Sequence, residues 1–329
     1  MEIALGKMRG LQQLADSRGI FAMCAMDHRG SLKRMLEESC PQATGDQALV
    51  DFKMDMCRVL APHASAVLLD PIYGTGQAVT GGVLPGDKGL LVSLEATGYE
   101  AEGDEGGRIT SLLPGWSVEK IKRMGASAVK LLLYYRPDLA DIASKQTETA
   151  GQVAEHCQAE DIPFLLEPKS YGAGEAEHDP REYARIKPQL VIETARQLTG
   201  LAVDVLKAEF PAEMAYERDE ARLLDLCYQL NEASRVPWVL LSGGVDFDTF
   251  SRQVEIACRA GASGFLAGRA VWQDAVFLAP GEERMRFLED TVAPRLDRLT
   301  HIADTYGMPW FSRWGAARVS ELEASNIGV

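Results

Sequence analysis

The chain has 329 residues, of which 46% are hydrophobic and 25% charged, with a formal net charge of −14 at pH 7. This acidic balance argues against a nucleic-acid partner, which would favour a basic surface, and against binding to anionic membranes. An anionic small molecule stays compatible, because a local site can be positive on an acidic protein.

Neither a secretory signal nor a membrane span is predicted. The N-terminus has no basic segment followed by an apolar stretch, and no apolar run approaches the roughly 20 residues of a span. The cysteines show no CxxC pair and no regular spacing; they are Cys24, Cys40, Cys57, Cys157, Cys227 and Cys258. We interpret them as free thiols in a reducing compartment and expect a cytoplasmic protein.

Eight short apolar runs recur along the chain, separated by stretches with helical periodicity. In chain order they are FAMCAMD ending at Asp27, AVLLD at Asp70, LLVSLEATG through Glu95, AVKLLLYY around Lys130, FLLEP at Glu167, VDVLKAEFP with Lys207, VLLSGG at Ser242 and GFLAGR ending at Arg269. Such runs predict buried parallel strands with helices between them. Eight units predict one α/β domain over residues 1–329, a (β/α)8 TIM barrel with its chemistry at the C-terminal strand ends.

The segments between the runs predict helices and loops. Helices are predicted over 4–17, where one would cap the bottom of the barrel, and over 46–60, 117–124, 147–161, 184–198, 217–234 and 247–260. The glycine-rich stretches 71–89 and 98–107 predict loops, the first with a short helix over 77–83 and the second mobile. The last helices and a tail with Trp310, Phe311 and Trp314 cover the barrel or form an interface, and we favour a dimer.

Two lysines inside apolar strands predict carbonyl chemistry. The two-residue strand period places Val205, Lys207 and Glu209 on one face. Burial lowers the pKa of a lysine, so Lys207 would offer a neutral amine that attacks a carbonyl to form a Schiff base. Pairing with Glu209 or another neighbour is the structural alternative. Lys130 lies in the same kind of strand, and two neighbouring lysines would each lower the pKa of the other, because like charges disfavour protonation. The structural alternative is that Lys130 forms an ion pair with Glu167 on the next strand.

Polar side chains at two other strand ends predict proton handling and substrate contact. Glu167, between the two lysines, would shuttle protons for imine formation and C–C cleavage. Asp27 would hydrogen-bond a substrate hydroxyl, or else cap the helix that follows. His28 would touch the substrate or lie in a surface loop.

Two consecutive glycine-rich turns predict a phosphate site. Ser242, Gly243 and Gly244 follow the seventh run, and Gly268 and Arg269 follow the eighth. Barrels often hold phosphate with the loops after strands seven and eight and a helix N-terminus. Glycine lets backbone N–H groups approach an anion closely, and a hydroxyl and a guanidinium add direct donors.

The chain lacks the patterns of common cofactor sites. The five histidines form no HxH or HxxxH pair, which argues against a zinc site of the metal-dependent aldolase kind. No GxGxxG follows a strand, so no nicotinamide cofactor is predicted. We expect neither metal nor cofactor.

At these residues the chain resembles the class I tagatose-1,6-bisphosphate aldolase family, which includes sulfofructosephosphate aldolases. The resemblance extends from the N-terminal helix to about Trp272. It is carried by the motifs MDHRGSL, LLDPIYG, LLVSLEATGYE, AVKLLLYYRPD, PFLLEP, DVLKAEFP, LLSGGV and GFLAGRAVW.

The resemblance implies metal-independent retro-aldol cleavage of a phosphorylated ketose, a ketose 1-phosphate, to dihydroxyacetone phosphate and a three-carbon aldehyde. Lys207 would be the Schiff-base lysine, Glu167 and Lys130 its proton-handling neighbours, and Asp27 a contact of the ketose hydroxyls. The phosphate of dihydroxyacetone phosphate would be held by Ser242, Gly243, Gly268 and Arg269.

The sugar itself stays open. The family usually has glutamine after the first aspartate, whereas this chain has His28 near the substrate hydroxyls. Tagatose, fructose and sulfofructose phosphates all fit, with Arg29 and Arg136 among the candidates for the far anionic end. Two rival readings are another phosphate-binding, lysine-dependent barrel, such as one like indole-glycerol-phosphate synthase or deoxyribose-phosphate aldolase, and a non-catalytic regulator on an aldolase barrel.

Overall fold

Eight parallel strands close into a barrel, which confirms the predicted (β/α)8 fold. The computed structural model describes residues 3–39, 44–103 and 106–314. The strands are β1 (Phe21–Ala25), β2 (Ala66–Leu69), β3 (Gly89–Ser93), β4 (Ala128–Tyr134), β5 (Phe164–Lys169), β6 (Val205–Ala208), β7 (Trp238–Leu241) and β8 (Gly264–Ala267). Each strand pairs with the next in chain order, and β8 closes the barrel on β1 through the register Phe21↔Gly264.

The side chains of each strand alternate between two apolar clusters. One cluster fills the barrel interior and includes Phe21, Met23, Leu91, Leu165, Val205, Val239 and Leu266. The residues between them, such as Cys24, Leu166 and Leu206, face the surrounding helices and belong to the larger cluster. Because both faces are buried, the strands read as continuous apolar runs rather than as alternating ones.

Helices join the strands and surround the barrel. They are α1 (Leu5–Leu14), α2 (Gly30–Ser39), α3 (Gly45–Leu60), α4 (Thr75–Thr80), α5 (Val118–Arg123), α6 (Ala140–Ala159), α7 (Glu175–His178), α8 (Pro180–Leu198), α9 (Glu220–Ala233), α10 (Phe247–Arg259), α11 (Arg269–Trp272), α12 (Glu282–Phe287) and α13 (Ala293–Tyr306). The helix α8 begins four residues before the predicted start, because Asp179 caps it and Pro180 takes its first position.

The N-terminal end of the barrel is closed by α1 and by the segment after α13. Lys7 of α1 forms a buried ion pair of 2.7 Å with Asp204, just before β6. Trp310 is buried in the interior cluster, and its backbone N–H donates to the Gly19 carbonyl at 2.9 Å. A cavity of about 450 Å³ lies at this end, and Lys7 and Asp204, the charged pair in its wall, neutralise each other.

One predicted loop is wrong. Residues 98–107 were expected to form a mobile loop, but Glu100–Glu102 and Gly107–Ile109 form an antiparallel hairpin with the register Ala101↔Arg108. The glycines indicated a loop, yet backbone pairing and the stacking of Arg108 on Tyr99, 4.6 Å from its ring centroid, stabilise a hairpin. This hairpin stands after β3, at the C-terminal end of the barrel.

The described cysteines are unpaired and buried: Cys24, Cys57, Cys157, Cys227 and Cys258. Burial raises the pKa of the Cys57 and Cys258 thiols to about 12, so they are protonated and unreactive at neutral pH. Cys40 lies outside the described residues. Within the described ranges, no helix has both the length and the apolar character that a membrane crossing demands.

Candidate active site

A cavity of about 290 Å³ opens at the C-terminal ends of the strands. Of the residues proposed from the sequence, all but Arg136 line it: Asp27, His28, Arg29, Lys130, Glu167, Lys207, Ser242, Gly243, Gly244, Gly268 and Arg269. These residues lie in or directly after six of the eight strands, and Asp27 and Lys130 alone are 103 positions apart, so closure of the barrel is what brings the set together.

The strand period explains why charged side chains reach the floor of this cavity. Ala128, Leu165 and Val205 belong to the interior apolar cluster, and two residues further along the same strands come Lys130, Glu167 and Lys207. These three residues also point into the barrel, about 6.6 Å closer to its C-terminal end, where the barrel opens. The charged layer therefore rests directly on an apolar one.

Lys130 is the centre of an ion cluster with three carboxylates. Its Nζ lies 2.9 Å from Asp27 Oδ2, 2.5 Å from Glu95 Oε1 and 2.9 Å from Glu167 Oε2. Burial alone would favour the neutral amine, but the three anions outweigh burial and raise the pKa of Lys130 well above its ordinary value. The expectation that the neighbouring lysine lowers the pKa of Lys130 is therefore wrong, since carboxylates surround it.

Glu167 lies between the two lysines, as predicted. Its Oε2 is 2.9 Å from Lys207 Nζ and 2.9 Å from Lys130 Nζ, although neither contact has the angles of a directed hydrogen bond. Burial opposes ionisation of this carboxyl, but the two cations lower its pKa below the ordinary value. Glu167 is thus a carboxylate with an oxygen close to both amines.

Lys207 is only 5% exposed and pairs across the barrel wall with Glu167 on β5. The alternative pairing with Glu209 does not form, because Glu209 Oε2 accepts hydrogen bonds from the backbone N–H and the hydroxyl of Ser170, at 2.7 and 2.5 Å. The amine of Lys207 therefore faces the cavity beside a single carboxylate.

Asp27 contacts Lys130 rather than the helix that follows. That helix begins at Gly30, and Asp27 Oδ2 accepts from Lys130 Nζ at 2.9 Å. Burial raises the pKa of Asp27, but Lys130 and the other nearby cations outweigh burial and hold it well below its usual range. Because the helix begins three residues after Asp27, this side chain is not at the N-cap position.

His28 is neither fully exposed nor charged at neutral pH. Its ring packs edge-on against Trp272, with 5.2 Å between centroids, and Gly268 lies against its Cε1. Burial lowers the pKa of His28 to about 4, against the opposing effect of Asp27. A neutral imidazole here can both donate and accept a hydrogen bond.

The two glycine turns meet on the opposite side of the cavity. The Ser242 hydroxyl accepts from the Gly268 backbone N–H at 3.2 Å, which ties the loops after β7 and β8 together. Gly243 and Gly244 have φ of +59° and +86°, and a Cβ on Gly244 would lie 3.2 Å from Arg269 Nη2. Among the described residues Arg269 has no carboxylate partner, so its charge is available to an anion.

Sequence reasoning missed Glu95 as a member of the cluster. Besides Lys130, its side chain accepts from the Leu132 backbone N–H at 3.0 Å, and its carbonyl accepts from Arg29 Nη2. The signal was available, because Glu95 continues the inward period of Leu91 in β3. Asp70, which also ends a run, turns away from the cavity: it pairs with buried Lys53.

Arg136 does not reach the cavity. Its guanidinium donates to both oxygens of Asp138, at 2.8 and 2.7 Å, and to the Tyr171 carbonyl at 2.7 Å. These bonds use its donors to hold the loop after β4, so it is not placed to bind a substrate anion. In the described ranges, no cluster of three or more His, Cys, Asp and Glu side chains has the arrangement of a metal site.

Comparison with known proteins places the chain among aldolases. The model of the DeoC/LacD family aldolases matches residues 21–274. The chain is 35% identical over 319 residues to tagatose 1,6-diphosphate aldolase 1 of Enterococcus faecalis, covering 92% of this chain and 95% of the relative. It is 34% identical over 336 residues to tagatose 1,6-diphosphate aldolase of Listeria monocytogenes, covering 96% and 97%.

Two solved structures with a similar fold are fructose-bisphosphate aldolases. An archaeal fructose-1,6-bisphosphate aldolase, with its catalytic Lys covalently bound to the carbinolamine intermediate, superimposes with a TM-score of 0.60 at 18% identity, covering 90% of this chain and 98% of that one. Fructose-bisphosphate aldolase from Plasmodium falciparum gives 0.72 at 14% identity, covering 94% and 98%. At such identities the likeness shows the fold alone. Because the family match and the curated alignments span most of the chain, the protein belongs to the DeoC/LacD family of aldolases and is a carbon–carbon lyase.

Proposed function

We propose that the protein is a class I, metal-independent aldolase that cleaves a ketose 1-phosphate, with Lys207 as the Schiff-base residue. The observation that carries the proposal is the position of its amine: it is buried at the cavity floor, 2.9 Å from a carboxylate oxygen that is equally close to a second lysine. The names of the curated relatives, tagatose 1,6-diphosphate aldolases, support this reaction class.

The phosphate at C1 would bind on the side of the two glycine turns. Ser242, Gly243, Gly244 and Gly268 offer a hydroxyl and backbone N–H groups, and Arg269 supplies a cation without a carboxylate partner. Holding the phosphate there directs the neighbouring carbonyl carbon, C2, toward β6 and Lys207. Binding energy from a non-reacting group would in this way position the reacting carbon.

Schiff-base formation requires an uncharged amine. Glu167 is the nearest base, and a proton moved from Lys207 to its carboxylate leaves the amine free to attack C2. The resulting carbinolamine loses water once its hydroxyl is protonated, and Glu167 returns the proton for that step. The product is an iminium, which withdraws electrons from C3.

Cleavage then follows from the polarity of the iminium. A carboxylate, Glu167 in this scheme, takes the proton of the C4 hydroxyl, the C3–C4 bond breaks, and its electrons form an enamine with the imine nitrogen. The aldehyde leaves. Protonation of the enamine at C3 and hydrolysis of the regenerated iminium release dihydroxyacetone phosphate and restore Lys207. Lys130, kept cationic by three anions, stabilises the ionised acids during these steps.

The substrates that this scheme fits are tagatose 1,6-bisphosphate and 6-deoxy-6-sulfofructose 1-phosphate. The imine chemistry involves only C2, C3 and C4, so it is the same for both sugars. The names of the curated relatives favour tagatose 1,6-bisphosphate. Asp27 and neutral His28 would contact the sugar hydroxyls, because both line the cavity next to Lys130. The buried, protonated cysteines support a reducing, cytoplasmic location.

Reduction with borohydride in the presence of dihydroxyacetone phosphate tests the proposal. Intact mass and peptide mapping should show one adduct, on Lys207, and the Lys207→Met variant should show none. An adduct on Lys130 would keep the aldolase but reverse the roles of the two lysines. A folded protein that gives no adduct would refute the class I mechanism.

A further inference from the structure

The cavity of about 450 Å³ at the N-terminal end of the barrel lies opposite the catalytic one. It is bounded by the beginning of α1, the ends of α6 and α8, and the segments that enter β6 and β7. Small-molecule sites in proteins are concave and mostly apolar, with volumes of about 300–1,000 Å³ and a few polar groups that fix the ligand. This cavity has such a size, and the reaction proposed above makes no use of it.

The walls of this cavity are mainly apolar. Val203 and Val236, which precede β6 and β7, are buried, and Leu201 and Ala202 are partly buried. Trp314 adds an aromatic ring to the wall. Removing apolar surface from water is favourable, so these side chains would stabilise the apolar body of a bound molecule.

A buried ion pair in the wall is already satisfied. Asp204 Oδ2 accepts from Lys7 Nζ at 2.7 Å and from the Phe164 backbone N–H at 2.8 Å. Both Lys7 and Asp204 are buried. Because Lys7 neutralises the carboxylate, this pair leaves the cavity without a net negative charge.

Arg235, exposed at the rim, carries the charge that is not balanced. Among the residues that the structure describes, its guanidinium has neither an ion pair nor a hydrogen bond, and only its backbone N–H is bonded, to Thr199 Oγ1 at 3.0 Å. The guanidinium lies close to Gly200, where a Cβ would be 3.6 Å from Nη1. With Lys7 and Asp204 as the other charged residues of the described wall, the cavity has one excess positive charge on a chain of net charge −14.

The beginning of α1 reinforces this positive charge. Ile3 and Ala4 line the cavity, and Ala4, the N-cap residue, offers no side-chain acceptor to the first turn of the helix. The first backbone N–H groups of a helix carry partial positive charge, which favours an anion. The end of α8 does not oppose it, because its last carbonyls accept from the backbone N–H groups of Thr199, Gly200 and Leu201.

We propose that this cavity binds a small organic acid, with its apolar body against Leu201, Val203 and Val236 and its carboxylate on Arg235. A guanidinium binds a carboxylate through two parallel N–H···O bonds, which fixes the orientation of the ligand. The apolar layer of the barrel interior separates this site from the catalytic cavity. Binding here is independent of the reaction proposed above.

A ligand-observed NMR titration with two matched probes tests the site. Phenylpropionate has a carboxylate, and phenylpropanol is a neutral analogue with the same apolar body. The wild-type protein should bind the acid about 10- to 100-fold more tightly than the alcohol, as expected for a charge-assisted hydrogen bond. No binding of the acid, or equal affinity for the two probes, would overturn the proposal.

Variants of the cavity locate the carboxylate. Arg235→Met removes the charge at the rim and should bind the acid no more tightly than the alcohol. Arg9→Met is the matched control and should keep the preference, because Arg9 is exposed on α1 at the same end of the barrel and does not line the cavity. Ala202→Phe places a ring in the cavity and should weaken binding of both probes. A preference for the acid that persists in Arg235→Met would contradict the assignment.

The catalytic cavity has a guanidinium of its own and requires a separate control. Arg269→Met should bind both probes as the wild-type protein does, whereas loss of the preference in this variant would place the acid on the C1-phosphate turns and overturn the site. Circular dichroism and thermal unfolding establish that each variant is folded. Since none of these measurements involves ketose cleavage, failure of this site and failure of the proposed function are distinguishable.

Discussion

Replacing Glu95 by glutamine tests whether the ion cluster sets the charge of Lys130. Glu95 is 7% exposed, and its Oε1 lies 2.5 Å from Lys130 Nζ. Glutamine keeps the shape and an acceptor for the Leu132 N–H, but it removes one of three anions around the ammonium. Because the anions raise the pKa of Lys130, the variant should titrate this lysine at a lower pH.

The size of the effect follows from the charges that remain. With both lysines charged, Lys130 and Lys207 face three carboxylates, so the wild-type cluster has one excess negative charge, and the variant has none. The loss of one buried charge-assisted hydrogen bond costs about 1.5–3 kcal/mol. Because that contact favours the charged amine, its loss should lower the pKa of Lys130.

The assay is kcat/KM for ketose cleavage from pH 7 up to the highest pH at which the protein stays folded, because the pKa of Lys130 lies above its ordinary value; release of dihydroxyacetone phosphate is measured by a coupled reaction. The alkaline limb of the profile should move to lower pH in Glu95→Gln. Glu100→Gln is the matched control, because Glu100 is exposed and, among the described residues, its side chain bonds only Ser111. An alkaline limb at the wild-type position, in a folded variant, would refute the view that Glu95 keeps Lys130 charged.

Three other changes have defined outcomes. Glu167→Gln should lower kcat by about 10²- to 10⁴-fold in stopped-flow cleavage assays, because this is the usual contribution of a general acid–base group. An unchanged kcat would show that Glu167 does not transfer the protons. Gly244 has a φ of +86° and lies against Arg269, and a β-carbon costs about 1–2 kcal/mol in that conformation. Gly244→Ala should therefore raise KM for a ketose 1-phosphate about tenfold or more, with a smaller change in kcat. The folded-state pKa values of Asp27 and Glu167 are depressed, so their contribution to the free energy of unfolding is present above about pH 4.5 and is lost as pH falls further. The pKa of Lys130 is raised, so its contribution to the free energy of unfolding is complete below about pH 10 and is lost as the pH rises further. Urea unfolding at pH 3, 7 and 11 should therefore give the highest stability at pH 7. Equal stability at pH 3 and pH 7 would contradict this.

Much of the barrel could be predicted because both faces of each strand are buried. Apolar runs such as FLLEP and VDVLKAEFP mark strands regardless of what lies between them, and a charged residue within them is conspicuous. Lys207 and Glu167 were predicted for this reason, and the structure brings them to 2.9 Å. Their roles in catalysis stay predictions.

The parts that the sequence did not predict depend on contacts between distant segments. The contact of Glu95 with Lys130 joins residues 35 positions apart, and a single glutamate near a glycine-rich segment looks like a loop residue. The hairpin at 100–109 depends on pairing across a short turn and on Arg108 stacking between tyrosines. The raised pKa of Lys130 follows from three carboxylates that come from three different strand ends, so no local pattern indicates it.

The apolar layer beneath the lysines also decides where protons can travel. Leu91, Leu165, Val205, Val239 and Leu266 fill the barrel directly below the ion cluster, and each is at most 1% exposed. Solvent therefore reaches the cluster through the mouth, which is the side that the substrate occupies. In the proposed mechanism a bound sugar blocks this route, so Glu167 and its neighbours would exchange protons with the substrate and not with bulk water. The proton that leaves the C4 hydroxyl would then be retained in the cluster until the aldehyde departs.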